Sequence, residues 1–387
     1  MLIWTLTLLS VAANLVFAVL TTLFLRRRQV LQPAAAPAAH APLISIIVPA
    51  RNEAANIECC VRSILAQDYP YIEVIAVDDD STDATPIILA DIQDEDRRLR
   101  VVTGTPMRMG WTGKNNALDA GVKRARGDWL LFVDADMTLH SGALSAAFAA
   151  AQRSGATMVT LWARQQLESF WERVVQPVII GFNVVADPFQ HVNDPSHRSS
   201  TANGQFILVE RETYERIGGH SAVRDEVLED QMLAQHFKRA GERILMMDGT
   251  HLLSTRMYTS LQGIWEGWSK NNFLSFNRNM LIMLASAVGV YLIAVNPFMM
   301  VWATLIALKF NHHLTDPLII NLCSIALLLW TRWRVRSFCG TPLRDYLLHG
   351  VGAAIFIGIF FNSAYCHITG HGVTWKGRSY SDVDSVA

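Results

Sequence analysis

The chain has 387 residues, room for one core of ordinary size and something besides. Its 33 lysines and arginines balance 34 aspartates and glutamates to a formal charge of −1, which gives no support to a general nucleic-acid-binding role. Hydrophobic residues make up 51% of the sequence, high for a soluble enzyme, and Cys59, Cys60, Cys323, Cys339 and Cys366 are odd in number and lack ligand spacing. They read as free thiols in a reducing compartment, with neither a disulfide framework nor a zinc site.

Residues 2–25 are 24 positions without a charge, enough to cross a hydrocarbon core of ~30 Å as a helix. A cleaved signal peptide is the competing reading. The run is too long for one, has no basic segment before it, and is followed by Arg26, Arg27 and Arg28. Residues 1–28 are therefore expected to be a retained anchor. Residues 29–42, rich in proline and alanine, read as a linker that packs no core.

From 43 onward the pattern changes. Residues 44–49 form a buried first strand ending at Pro49, and a helical spacing runs from Asn52 through Leu65. Residues 73–77 are a second strand, with Ser81, Thr82 and Asp83 opening the next helix. Residues 99–102 are a third strand, 115–126 a helix closed by Gly127, and 128–133 a fourth strand. Strand and helix alternating at this spacing predict an α/β domain, its sheet mostly parallel with helices on both faces. Two acidic clusters, Asp78-Asp79-Asp80 and Asp134-Ala135-Asp136, sit where buried strands emerge. Ligands bind at that end of such sheets. Hard oxygen donors there suit Mg²⁺ or Mn²⁺, and through it a diphosphate. No G-x-G-x-x-G follows the first strand, and Gly113-Lys114 lacks the rest of a Walker loop, so neither an NAD enzyme nor a P-loop ATPase is expected.

Glu229 and Asp230 open a helical stretch over 231–240. Residues 256–279, with Trp265, Trp268, Phe273 and Phe276, read as an amphipathic helix laid on the bilayer surface. Residues 280–308 are charge-free for 29 positions and contain Asn296-Pro297, which suits one tilted or kinked span. Residues 317–331 and 347–366 give two further runs, the former short, so 280–387 is expected to hold about three membrane helices. Arg26–Arg28 and the group Arg332, Arg334 and Arg336 then fall on one side, which the positive-inside rule makes the cytoplasm. The expected location is the plasma or inner membrane, multi-pass, with residues 43–255 cytoplasmic.

Five motifs in order make a resemblance specific. Residues 46–53 (IIVPARNE), 77–83 (VDDDSTD), Gly113-Lys114 with Ala117-Leu118, Asp134-Ala135-Asp136, then Gly218-Gly219-His220 with Glu229-Asp230, resemble family 2 glycosyltransferases over roughly residues 43–276. The resemblance implies an inverting enzyme of the GT-A fold using a nucleotide-sugar donor, a UDP-sugar first, and Mg²⁺ or Mn²⁺. It assigns Asp136 and Asp134 to the metal, and Asp134, Pro49, Arg51, Glu53, Asp79 and Lys114 to the donor. Asp230 becomes the general base, supported by Glu229, while Gly219, His220, Trp265 and Trp268 face the acceptor. Where many membrane members carry Q-x-x-R-W, this chain reads Gln262-Gly263-Ile264-Trp265, without the arginine. That departure argues against a processive polysaccharide synthase. Short matches, Gly110–Lys114 among them, are similar to bacterial enzymes that glycosylate carotenoid or hopanoid lipids, which implies a membrane lipid as acceptor. The alternatives are the processive synthase and a membrane protein that binds a nucleotide sugar without transferring it.

Overall fold

The computed structural model describes residues 1–37, 40–186, 189–310 and 314–369, and the backbone of 373–375 and 378–380. The chain divides into two compact units that interleave in sequence. One comprises Arg28–Gln165 and Asp187–Met257; the other comprises Met1–Arg27, Gln166–Ala186 and Tyr258–Ala387. This partition differs from a single run over 43–255: residues 166–186 leave the α/β unit, and residues 28–42 join it.

The α/β unit carries, along the chain, β1 (Ile44–Ala50), α2 (Ile57–Leu65), β2 (Ile72–Asp78), α3 (Thr85–Glu95), β3 (Leu99–Thr103), α4 (Gly113–Val122) and β4 (Trp129–Val133). It continues with β5 (Met137–Leu139), α5 (Ala143–Ser154), β6 (Met158–Trp162) and β7 (Arg164–Gln165). After the excursion into the other unit come α7 (Phe189–Asn193), β8 (Phe206–Glu210), α8 (Arg211–Arg216), α9 (Glu229–Arg239), β9 (Ile244–Asp248) and β10 (Leu253–Thr255). Seven strands form one sheet in the order β3-β2-β1-β4-β8-β6-β9. β8 alone runs antiparallel to its neighbours β4 and β6. Strands covered on both faces read as unbroken apolar runs. Accordingly, every residue of β4 is buried, and of β1 only Pro49 is partly open. A small sheet, β5-β10-β7, lies after the ends of β4 and β6 in the chain.

The segment expected to be a free linker is partly structural. Leu31 is fully buried in the core, with Ala34 and Ala41 packed against it. Val30 pairs in parallel with Asp248 of the edge strand β9. Leu31 N–H donates to the Asp248 carbonyl at 2.9 Å, and Asp248 N–H donates to the Gln29 carbonyl at 2.8 Å. The Arg28 guanidinium meets the buried Asp248 carboxylate at 3.0 Å. An edge strand offers open main-chain groups, and this segment covers them.

The helical unit comprises α1 (Leu2–Arg27), α6 (Phe170–Ala186), α10 (Leu261–Ser275), α11 (Met280–Val290), α12 (Asn296–Ala307), α13 (Thr315–Arg334) and α14 (His349–Ile368). A π-helical turn, Tyr291–Val295, joins α11 to α12, so Met280–Ala307 is one apolar stretch. Pro297 has no N–H for the Ile293 carbonyl four residues earlier. Asn14 of α1 fills the gap, donating to that carbonyl at 3.1 Å, and Ser10 donates to the Leu292 carbonyl at 2.8 Å. In hydrocarbon such carbonyls need an internal partner.

Among the described residues three helices are long and apolar enough to cross a membrane: Leu2–Arg27, Met280–Ala307 and Leu343–Ile368. The short run at 317–331 lies inside α13, which is 20 residues long but is not one of these three. α13 is tied to α1 by Asn321, which donates to the Thr7 hydroxyl at 2.8 Å. The aromatic residues of α10, and Phe276 just after it, are engaged within the unit. Trp268 donates to Gln176 of α6 at 3.0 Å, Phe276 packs edge-on to Phe360 of α14 at 5.4 Å, and Trp265 covers Gly358.

Candidate active site

Three main-chain exits from the sheet build the site. At the first, β1 and β2 end side by side and their loops are cross-tied. Asn52 takes a positive φ of 51°, and its side-chain oxygen accepts from Thr82 N–H at 2.8 Å. Asn52 N–H donates to the Ser81 hydroxyl at 3.0 Å, and Glu53 N–H donates to the Thr85 hydroxyl at 2.8 Å. Arg51 donates to the carbonyls of Asp79 and Asp80 at 2.5 and 3.1 Å. Asp79 itself is buried, its N–H donating to the Ala50 carbonyl at 2.8 Å. Of the acidic residues here, Asp78 closes the turn by accepting from Ser81 N–H, while Asp83 accepts from Thr85 at the start of α3. Glu53 braces the loop, accepting from the Asn56 side chain at 3.1 Å. Pro49, Arg51, Glu53 and Asp79 therefore share one wall.

At the second exit, β4 ends at Val133, so Asp134 and Asp136 lie on a turn and are released from strand alternation. Behind this turn Cys60 of α2 donates to the Asp134 carbonyl at 3.6 Å. Burial, then the charge of Asp136, pushes the Cys60 thiol well above its ordinary value. The turn is thus a concentration of negative charge. Among the described residues no three His, Cys, Asp or Glu side chains gather as a ready-made metal cage. Two hard carboxylates still suit Mg²⁺ or Mn²⁺, which characteristically take one or two carboxylates and fill the rest with phosphate and water.

At the third exit, Thr112 caps α4, its hydroxyl accepting from Asn115 N–H at 3.4 Å. The buried Asn115 side chain donates to the carbonyls of Val223, Arg224 and Glu226, at 2.7, 3.2 and 3.1 Å, which pins α4 to the segment entering α9. Lys114 is thereby held between two carboxylates from distant parts of the chain. Its Nζ lies 2.7 Å from Asp134 and 2.8 Å from Glu229. Burial works against its charge, but Asp134 and Glu229 outweigh it and hold Lys114 well above the usual lysine range.

Asp230, next to Glu229 in the first turn of α9, is gripped by main chain. Gly204 N–H donates to Oδ2 and Gln231 N–H to Oδ1, both at 2.8 Å. Burial, reinforced by the neighbouring Glu229 charge, pushes its carboxyl up to about 7. A carboxylate poised near neutrality can take a proton at working pH. Gly204 sits among all these groups: a Cβ there would stand 3.2 Å from Asp230 Oδ2, 3.2 Å from Lys114 Nζ and 3.5 Å from Glu229 Oε1. A small cavity beneath is lined by Pro49, Phe132, Ile207 and His220 together with Lys114, Asp134 and Glu229.

His220 is 2% exposed, and burial pulls it down to about 4, so it is neutral. Its ring meets Phe132 edge-on at 4.7 Å, and Nδ1 pairs with the Tyr214 hydroxyl at 2.8 Å. Gly218 and Gly219 have φ of 88° and 52°, and a Cβ on Gly219 would lie 2.5 Å from the Tyr214 ring. The glycine pair thus serves the turn and the Tyr214 packing. Trp265 and Trp268 belong to the helical unit and are engaged there. The residues that sequence reasoning passed over are Gly204 and its neighbours. An Asn203-Gly204 dipeptide ahead of a strand was the turn signal available.

Comparison with known proteins bears on this arrangement. Residues 45–230 match the model of the family described as Glycosyl transferase family 2. The 4,4'-diaponeurosporenoate glycosyltransferase of Staphylococcus haemolyticus is 26% identical over 246 residues, covering 59% of this chain and 60% of the relative. The enzyme of that name from Staphylococcus aureus is 27% identical over 242 residues, covering 59% and 60%. The chain thus spans 60% of the length of these relatives. Among solved structures, the mannosyltransferase PcManGT from Pyrobaculum calidifontis, in complex with GDP-Man and Mn²⁺, superposes with a TM-score of 0.54. It is 20% identical and covers 95% of this chain and 97% of its own. At that identity the likeness is one of fold, GT-A.

Proposed function

We propose that this chain, whose residues 45–230 belong to glycosyl transferase family 2, transfers a sugar from a nucleotide-sugar donor to a membrane-soluble acceptor. One observation carries the reading. Lys114 bridges Asp134, on the carboxylate turn, to Glu229, beside Asp230, so the donor-holding and proton-accepting groups meet at one sheet edge.

In this reading the wall of Pro49, Arg51, Glu53 and Asp79 receives the nucleoside. Lys114 turns from its carboxylates toward the diphosphate, adding positive charge where negative charge grows as the leaving group departs. Asp134 and Asp136 would hold Mg²⁺ or Mn²⁺, which when bound neutralises that same diphosphate charge. Asp230 takes the acceptor's proton as the acceptor oxygen attacks the anomeric carbon from the face opposite the diphosphate. A single displacement of this kind inverts the configuration. Three helices of membrane-crossing length and apolarity, and relatives named for diaponeurosporenoate, support an acceptor that lives in the bilayer. Arg26–Arg28 at the C-terminal end of α1 support a cytoplasmic α/β unit.

The test is a pair of variants in membranes supplied with radiolabelled UDP-glucose or GDP-mannose and Mn²⁺. Asp136→Ala is expected to lose metal-dependent donor binding and transfer together. Asp230→Asn is expected to keep donor binding and lose transfer about 100-fold or more, the scale of a removed general base. Full turnover by Asp230→Asn sinks the base assignment. Polymeric product would favour the processive synthase instead.

A further inference from the structure

Gly204 lies on a three-residue turn that no motif above includes, yet it touches the acidic end of α9. The turn is held from behind by Thr160 of β6, which is fully buried. The Thr160 hydroxyl accepts from Asn203 N–H at 2.8 Å and donates to the Asn203 carbonyl at 3.3 Å. The Asn203 side chain closes the turn on itself, its Oδ1 accepting from Gln205 N–H at 3.2 Å and its Nδ2 donating to Gln205 Oε1 at 3.1 Å. Two main-chain groups then point outward. Gly204 N–H donates to Asp230 Oδ2 at 2.8 Å, and the Gln205 carbonyl accepts from Asp134 N–H at 3.4 Å.

One rigid turn therefore sets both the carboxylate of α9 and the start of the β4 turn. Any side chain at position 204 would enter the space shared by Asp230 and Lys114.

We propose that the Asn203–Gln205 turn, locked to β6 through Thr160, is the positioning element that fixes Asp230 relative to Asp134, with Gly204 as its contact residue. The inference rests on Asp230 being the base of the proposed transfer. It goes further by assigning roles to Thr160, Asn203 and Gly204. Geometry carries it: the hydroxyl of a core threonine is spent on a turn whose next N–H is spent on a carboxylate. A main-chain bond places an oxygen more tightly than a flexible side chain does, because the peptide has no rotamers to lose.

The experiment uses the full-length protein in detergent, with Thr160→Val, Thr160→Ser and Gly204→Ala beside the wild type. The first readout needs no substrate. Carbodiimide labels the protonated carboxyl, and peptide mass spectrometry gives the pH midpoint of labelling at Asp230. An N–H bond favours the charged form, so loosening the turn raises the midpoint. Glu229, Lys114, Asp134 and His220 face the same space and are unchanged in every variant. Thr160→Val and Gly204→Ala are expected to shift the midpoint upward, and Thr160→Ser to restore it.

The second readout is transfer from the donor the wild type turns over. kcat is expected to fall about 10–100-fold in Gly204→Ala, the scale of a misplaced catalytic group, with the donor KM within about twofold. Thr160→Val should fall less, and Thr160→Ser should not fall. An unchanged midpoint in both Thr160→Val and Gly204→Ala overturns the inference. So does a Thr160→Ser variant that behaves as Thr160→Val, because the hydroxyl would then be irrelevant. A shifted midpoint in a chain that transfers no sugar would leave the turn's grip on Asp230 standing and defeat the functional reading instead.

Discussion

Asp230 owes its readiness to its surroundings: partial burial and an adjacent Glu229 disfavour its charge, while Lys114 and two N–H groups favour it. The balance leaves it near 7, raised from 3.8. Only the unprotonated form accepts a proton, so the rate of transfer is expected to rise with pH through about 7 and level off above. Glu229→Gln removes the neighbouring negative charge that helps raise Asp230 and frees Lys114 of one carboxylate partner. Both effects favour charged Asp230, so the acidic limb of the rate profile should move to lower pH. Initial rates between pH 5 and 9 check this; a limb that stays put or moves upward contradicts the coupling. At this scale the sequence was informative where chemistry shows in residue type. Asp79, Lys114, Asp134, Asp136 and Asp230 were singled out through the motifs that carry the family resemblance, and the structure brings Lys114 against Asp134 and Glu229. Thr160 and Gly204 were not singled out, because their contribution passes through hydrogen bonds to main-chain groups between segments 43 and 26 positions apart. His220, read toward the acceptor, lines the small cavity while its ring packs on Phe132 and its Nδ1 pairs with Tyr214.

Among the elements, the strands of the parallel half were legible because burial on both faces leaves an unbroken apolar run. What escaped was Leu31, which with Val30 opens a proline-alanine stretch that has no period to betray it. It fills a fully buried place in the core. Leu31→Ala is therefore expected to destabilise the α/β unit by about 2–5 kcal/mol, the usual cost of emptying such a site. Thermal unfolding in detergent measures it, and an unchanged midpoint would mean that the segment is a tether after all. The excursion over 166–186 was equally hidden. α6 interrupts the α/β unit with little more than Asp187-Pro188 to mark its end, and its membership follows from what it packs against. Its Arg173 pairs with Asp345 at 2.8 Å, and its Phe182 meets Phe356 and Phe360 at 5.6 and 5.9 Å.

For the molecule as a whole, sidedness turns on α13. If it crosses, Arg332, Arg334 and Arg336 fall on the face of Arg26–Arg28, as the positive-inside pattern requires; if it does not, the two clusters oppose. Its 20 residues give ~30 Å of helix, the thickness to be crossed. A single cysteine at position 336 in an otherwise cysteine-free chain, treated with a membrane-impermeant maleimide, decides between them. Labelling is expected in inverted vesicles, and labelling confined to right-side-out vesicles would reverse the assignment.

Arg28 to Leu31 run directly on from α1, and they close the exposed margin of β9 with an ion pair and two main-chain bonds. Removal of residues 28–31 from this margin would therefore bare a row of amide and carbonyl groups and leave Asp248 without its guanidinium. Such a margin recruits a strand from another molecule. A molecule stripped of this cover would be sticky along β9, so the few residues that follow α1 also guard the sheet against self-association.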